Sequence, residues 1–378
     1  MSFARNMRLR PVAALGFALW STAAWASLDK DGWHVDGILD SYYQVDFAYP
    51  HVHGLLPGRA EDAVRDHLEL ANAQLNINRK PTAKCPWGLT TSLQTGRDAD
   101  LTHITDPAGS SRYETFLQAY VSYLCPGKTA VTIDAGKFLP LIGYESTNTY
   151  DNDNYGGSAL SAMGQPAYHV GVRATAVLSP KSSASVYFVN GWNDVEDSNG
   201  GKSVGVTYNW NPDAKTTFSL NYLGGDEGGR FPNDAASFGG IGFTSPGTRH
   251  TDLFDGIATY QANDKLSWAF DACYVRAEGL HGASSGQWQG GLLAMKYAFS
   301  PTWAGILRAE TFQDEQGLLT GLPLSIDGFT GTLVYTFKGG SQFKVEYRHE
   351  NANLPFFDGG KGPTQYRDTL CFAQIVRF

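Results

Sequence analysis

Acid and base alternate with apolar residues in two places in this chain. Lys344, Glu346 and Arg348 interleave with Phe343, Val345 and Tyr347, and Arg308 and Glu310 interleave with Leu307 and Ala309. Asp134 and Arg173 have the same parity in their own segments, with weaker alternation. A period of two puts the charges on one face of a β-strand and the apolar residues on the other. Fixed charges projecting from a low-dielectric wall into water create a strong local field that sorts ions and polar solutes. A ladder of ion pairs bracing the wall would read the same way, and both readings stand at this level.

A second group lies in the long connection 139–165, which contains Tyr144, Glu145, Tyr150, Asp151, Asp153 and Tyr155. Long connections in compact proteins tend to be functional. This one is expected to fold inward as a constriction, with a shield over the mouth as the alternative. Its acids and tyrosines favour cations or sugars over anions.

Other reactive residue types carry less. Cys85 begins the third predicted strand and Cys125 ends the fourth, so antiparallel pairing brings both to one rim. In an oxidising compartment a disulfide between them is expected. Cys273 and Cys371 fall mid-strand, five strands apart, and are expected to be free. His51, His53 and His67 lack a fixed carboxylate partner, and 224–229 reads as a flexible acidic loop, so no metal is assigned. Ser161 and His169 are near in sequence, but no nucleophile motif surrounds Ser161. Phosphate-loop, dinucleotide and CxxC motifs are absent, so no cofactor and no enzyme activity are implied.

Sixteen strands are predicted to carry these faces, the first near 33–47 and the last near 367–378. Short turns such as Ser179-Pro180-Lys181 and Asn211-Pro212-Asp213 use the residues that set turn dihedrals. Seven of these alternate with long polar connections, including 49–65, 139–165 and 225–250. In one strand Ala71, Ala73, Leu75 and Ile77 oppose Asn72, Gln74, Asn76 and Asn78. In the last, Leu370, Phe372, Val376 and Phe378 share one face, while Cys371, Ala373, Ile375 and Arg377 share the other. Short turns, long loops and a terminal aromatic strand are the pattern of an all-β, antiparallel up-and-down transmembrane barrel.

The start of the chain agrees. Arg5, Arg8 and Arg10, the apolar run 12–20 and Ala24-Trp25-Ala26 form a secretory leader over 1–26, leaving 27–378 as one barrel domain. The apolar run is too short to span a bilayer. A mean hydropathy of −0.27 excludes a helical membrane protein but not a barrel. Net charge is −8, and loss of three leader arginines deepens it, which argues against nucleic acid as a partner.

Several segments together resemble the OmpL-like family of β-barrel porins of Gram-negative bacteria. They are 40–47 (DSYYQVDF), 118–124 (QAYVSYL), 134–138 (DAGKF) with Gly143-Tyr144-Glu145, and Asn190-Gly191-Trp192. Arg308-Ala309-Glu310 with Phe312, and Glu346-Tyr347-Arg348-His349, complete the set. The resemblance implies a diffusion channel for small hydrophilic solutes or ions in the outer membrane, surrounded by its lipid, with no catalytic residues. Homo-oligomers stay open, and a non-conducting adhesin or structural barrel is the alternative.

Overall fold

The computed structural model describes residues 28–48, 54–103, 111–127, 129–197, 200–227, 248–279 and 285–378. The expected leader, His51, His53 and most of the connection 225–250 lie outside the described residues.

Sixteen antiparallel strands close on themselves, as the sequence predicts. The first half comprises β1 (Trp33–Asp46), β2 (Leu68–Arg79), β3 (Trp87–Thr95), β4 (Phe116–Cys125), β5 (Val131–Phe138), β6 (His169–Ser179), β7 (Ser182–Val189) and β8 (Ser203–Trp210). The second half comprises β9 (Thr216–Asp226), β10 (Thr248–Gln261), β11 (Leu266–Gly279), β12 (Gly286–Ala298), β13 (Trp303–Asp314), β14 (Leu324–Thr336), β15 (Gln342–Ala352) and β16 (Tyr366–Arg377). Each strand pairs with its sequence neighbours, and β16 pairs with β1 in a register that sets Cys371 opposite Gln44. Closure removes the unpaired edges an open sheet would leave.

The seam has its own device. Phe378 and Gly37 exchange backbone hydrogen bonds at 2.7 and 3.0 Å. A Cβ on Gly37 would lie 2.4 Å from the Phe378 ring, so the glycine makes room for the terminal aromatic.

Alternation decides which face meets what. Leu220, Phe254, Phe270, Leu293 and Phe329 point outward and are exposed. Paired aromatics ring the short-turn rim, with Trp87 on Tyr123 at 4.8 Å and Trp303 on Tyr335 at 4.8 Å. Tyr222 meets Phe254 at 5.2 Å nearer the opposite rim. An apolar belt between aromatic girdles suits lipid. Among the described residues no helix is long and apolar enough to cross a membrane.

Inside, an apolar cluster gathers toward the long-loop end. Phe138, Tyr187, Leu253, Trp288 and Phe312 from five strands pack with Ile142, Leu160 and Met163 of the connection 139–168. Each large side chain so buried contributes about 1.5–3 kcal/mol. That packing draws the connection into the barrel.

Candidate functional site: the lumen and its inward loops

The connection 139–168 runs down the interior. At its base, the Gly143 and Tyr144 amides donate to Asp255 and Asp271 at 3.3 and 2.9 Å. Gln165 Nε2 donates to the same two carboxylates at 3.1 and 3.2 Å. Near the opposite end Thr149 donates to Asp40, and Tyr150 Oη donates to the Gly340 carbonyl at 3.3 Å in the turn between β14 and β15. The loop therefore spans the lumen lengthwise.

Its returning limb lies against the charged wall. Tyr155 and Gly156 amides donate to Glu346 at 2.6 and 2.9 Å, and the Ala159 amide donates to Glu310 at 3.0 Å. Lys344 Nζ donates to the carbonyls of Thr149, Asn152 and Asn154 at 3.1, 2.7 and 3.2 Å. A buried loop cannot leave its backbone groups unpaired, and strand side chains take the place of water here.

A second segment also folds inward, between β1 and β2. Arg59 pairs with Asp62 and, at 2.6 Å, with Glu350. Arg65 meets Asp46 at 3.1 Å, and the Gly157 amide donates to Glu61 at 3.0 Å. Cβ atoms on Gly156 and Gly157 would lie 2.8 Å from the Asp62 and Glu61 carboxylates, so the two loops meet only because those residues are glycine. Burial pushes the Glu61 carboxyl up to about 7.

All seven wall residues proposed from parity face the interior. Arg308 contacts Glu145, its Nε lies 2.7 Å from Glu310, and Arg348 reaches Glu310 at 2.5 Å and Glu350 at 3.2 Å. Arg367 closes the chain on Glu350 at 2.7 Å. Arg173 and Asp134 form a separate pair at 2.9 Å on β6 and β5. Of the loop residues, Glu145 and Tyr155 join the charged network. Tyr144 Oη donates to Asp153 at 3.1 Å, and Asp153 meets Lys296 at 2.7 Å. Asp151 accepts from Asn148 at 3.0 Å, and Tyr150 lies under the Arg377 guanidinium at 5.1 Å.

The opposite side of the lumen is lightly filled. Small polar residues face it, including Thr175, Ser185, Thr207 and Ser219. A cavity of about 240 Å³ lies toward the long-loop end, lined by Asp98, Glu61 and Trp192 among others. Another of about 310 Å³ lies toward the short-turn end, lined by Lys215, Thr217, Gln261 and Lys296. Tyr144 lines both, so it stands between them. Burial and the Asp153 charge hold its hydroxyl well above the usual range.

One expectation is corrected. All four cysteines are free, so no bridge joins Cys85 and Cys125. The two do reach the same rim, where the Leu124 amide donates to the Pro86 carbonyl at 2.8 Å. Thr82 binds both backbone groups of Cys85, and the thiol turns to the Trp87 carbonyl of its own strand at 3.7 Å. His169 packs on Phe138 and Tyr187 with its Nδ1 3.1 Å from the Gly191 carbonyl, and among the described residues no hydrogen bond joins it to Ser161. No group of three or more histidine, cysteine or carboxylate ligands is placed to hold a metal among the described residues.

The same parity also places inward Glu350, which continues the run Lys344, Glu346, Arg348, and Arg367 on the inner face of β16. Further lumen residues are Arg59, Glu61, Asp98, Asp255 and Asp271. Placing the first two of those from sequence needs knowledge of which loop enters the lumen.

The fold resembles solved outer-membrane barrels at low identity. The outer membrane channel DcaP of Acinetobacter baumannii aligns with TM-score 0.59 and 12% identity, covering 93% of this chain and 100% of that one. An anion-selective porin from Comamonas acidovorans gives 0.59 and 10%, covering 92% and 99%. OmpT of Vibrio cholerae gives 0.58 and 9%, covering 93% and 100%. No curated protein matches the sequence. The model of one family matches residues 32–378, and the chain therefore belongs to the family described as "Putative beta-barrel porin-2, OmpL-like".

Proposed function

We propose that this protein is an outer-membrane channel through which small hydrophilic solutes diffuse, with a preference for cations. Charge balance carries that preference. Along the route the acids Glu61, Asp98, Glu145 and Asp153 outnumber the bases Arg59, Lys215 and Lys296 by one. Among all buried described residues, fifteen are aspartate or glutamate and seven are lysine or arginine. In a low-dielectric enclosure such an excess repels anions and concentrates cations. The route runs from the Asp98 cavity, between the two inward loops, past Tyr144 to the cavity at Lys296. The charged wall anchors the two inward loops, and through them it sets the width of that route. The leader 1–26 directs export and is then removed, and the long connections face the cell exterior.

A plugged barrel is the second reading, favoured by one observation: the inward loop reaches Gly340 in a short turn. Planar-bilayer recording of the refolded chain beyond Ala26, with reversal potential under a salt gradient, separates the two. Stable steps with cation-selective reversal support the channel, whereas silence from a correctly folded, heat-modifiable barrel sinks it in favour of the plug.

A further inference from the structure

Asp98 lies in the first turn of the short helix Arg97–Thr102 in the connection between β3 and β4, and lines the 240 Å³ cavity. It is 4% exposed, and neither carboxylate oxygen has a hydrogen-bond partner among the described residues. The charges acting on it most strongly are those of Asp40, Glu61, Asp62 and Glu69, all of its own sign. Nearby bases are engaged elsewhere. Arg97 turns to Glu69 and Asp100, and Arg59, which also lines the cavity, is neutralised by Asp62 and Glu350 and bound to Thr369. Lys137 donates to the Phe116 carbonyl and contacts His103, which burial and Lys137 hold down at about 4 and so neutral. Burial with these like charges holds Asp98 well above the ordinary carboxylate range until a cation restores its charge. A buried carboxylate without partners is costly. One that faces a cavity can be satisfied by what enters.

We propose that this cavity is a binding subsite for the guanidinium or ammonium head of a small organic cation, with Asp98 and Glu61 as its counter-charges. The inference rests on the channel reading, since the cavity lies on the route past Tyr144. Its volume equals about eight waters, larger than a bare ion needs. Trp192, Leu101 and Ile142 offer an apolar wall for a stem, and an indole face suits a cation. No metal-holding cluster occurs among the described residues, which favours an organic cation over a metal ion.

Agmatine, a guanidinium on a four-carbon amine, is the probe, and succinate the control of opposite charge. Calorimetry on the full barrel in detergent should show saturable agmatine binding, weakened at least tenfold in Asp98→Asn, with no succinate binding. Asp98→Asn is isosteric and removes a buried like-charge contact, so it should fold, as heat-modifiability will verify. Equal affinity in the wild type and Asp98→Asn overturns the subsite, as does the absence of agmatine binding. Glu61→Gln gives a second check, with an expected loss of at least threefold. Bilayer recording keeps the two ideas apart. Binding without conductance retains the subsite and overturns the channel, whereas conductance without binding does the reverse.

Discussion

The two sides of the lumen are built from the same repeating strand yet behave as different materials. On β13, β15 and β16 the inward positions carry Arg308, Glu310, Lys344, Glu346, Arg348, Glu350 and Arg367, each 7% exposed or less. On β7, β8 and β9 they carry Ser185, Thr207, Ser219 and Asn221. Long charged side chains reach far enough to take the backbone groups of a loop, and short hydroxyls do not. The charged side is therefore filled by the connections 55–65 and 139–168, and space is left opposite. In this barrel the conspicuous charges act first as anchors, and under the proposed channel reading they govern passage through where they hold the loops.

Breaking an anchor should cost most. Arg308→Ala leaves Glu145 and Glu310 without one of their bases, and such a loss costs about 3–5 kcal/mol. Denaturant titration of the barrel in detergent should record it, together with noisier and larger conductance as the loop loosens. Gly157→Ala drives a methyl into the Glu61 carboxylate where the loops touch. It should cost about 1–3 kcal/mol in the same titration.

A smaller, pH-dependent effect should follow from Glu61. Its folded pKa, about 7, lies above the ordinary 4.5, so the folded state binds its proton more tightly. That contribution to docking is complete below about pH 4.5 and fades as pH rises through about 7. Conductance recorded from pH 5 to 8 should therefore increase, and Glu61→Gln should flatten the profile. On the lightly filled wall Ser219→Ala should change stability by no more than about 0.5 kcal/mol. A large loss there would erase the contrast between the walls.

Much of this was legible in the sequence because strand chemistry is local. A period of two identifies inward charges from Lys344, Glu346 and Arg348 alone, and seven short turns fix the parity of sixteen strands. The length of 139–165 and its tyrosines pointed to an inward loop. The partners that hold it could not be read. Arg59 and Glu350 are 291 residues apart in sequence, and Tyr155 and Glu346 are 191 apart. Only barrel closure brings them together. Asp98 lay in a connection with no periodic signal, and its importance comes from having no partner among the described residues. Cys85 shows the opposite limit. The rim was right, yet a local Thr82 turn decided where the thiol points.

The most direct test of a route past Tyr144 is the single-channel conductance of Tyr144→Ala beside the wild type in the same salt. Tyr144 Oη holds Asp153 and the ring stands between the two cavities, so its removal should join them. Conductance should rise about twofold or more, with cation selectivity retained. An unchanged conductance would contradict the route and return passage to the charged side of the lumen.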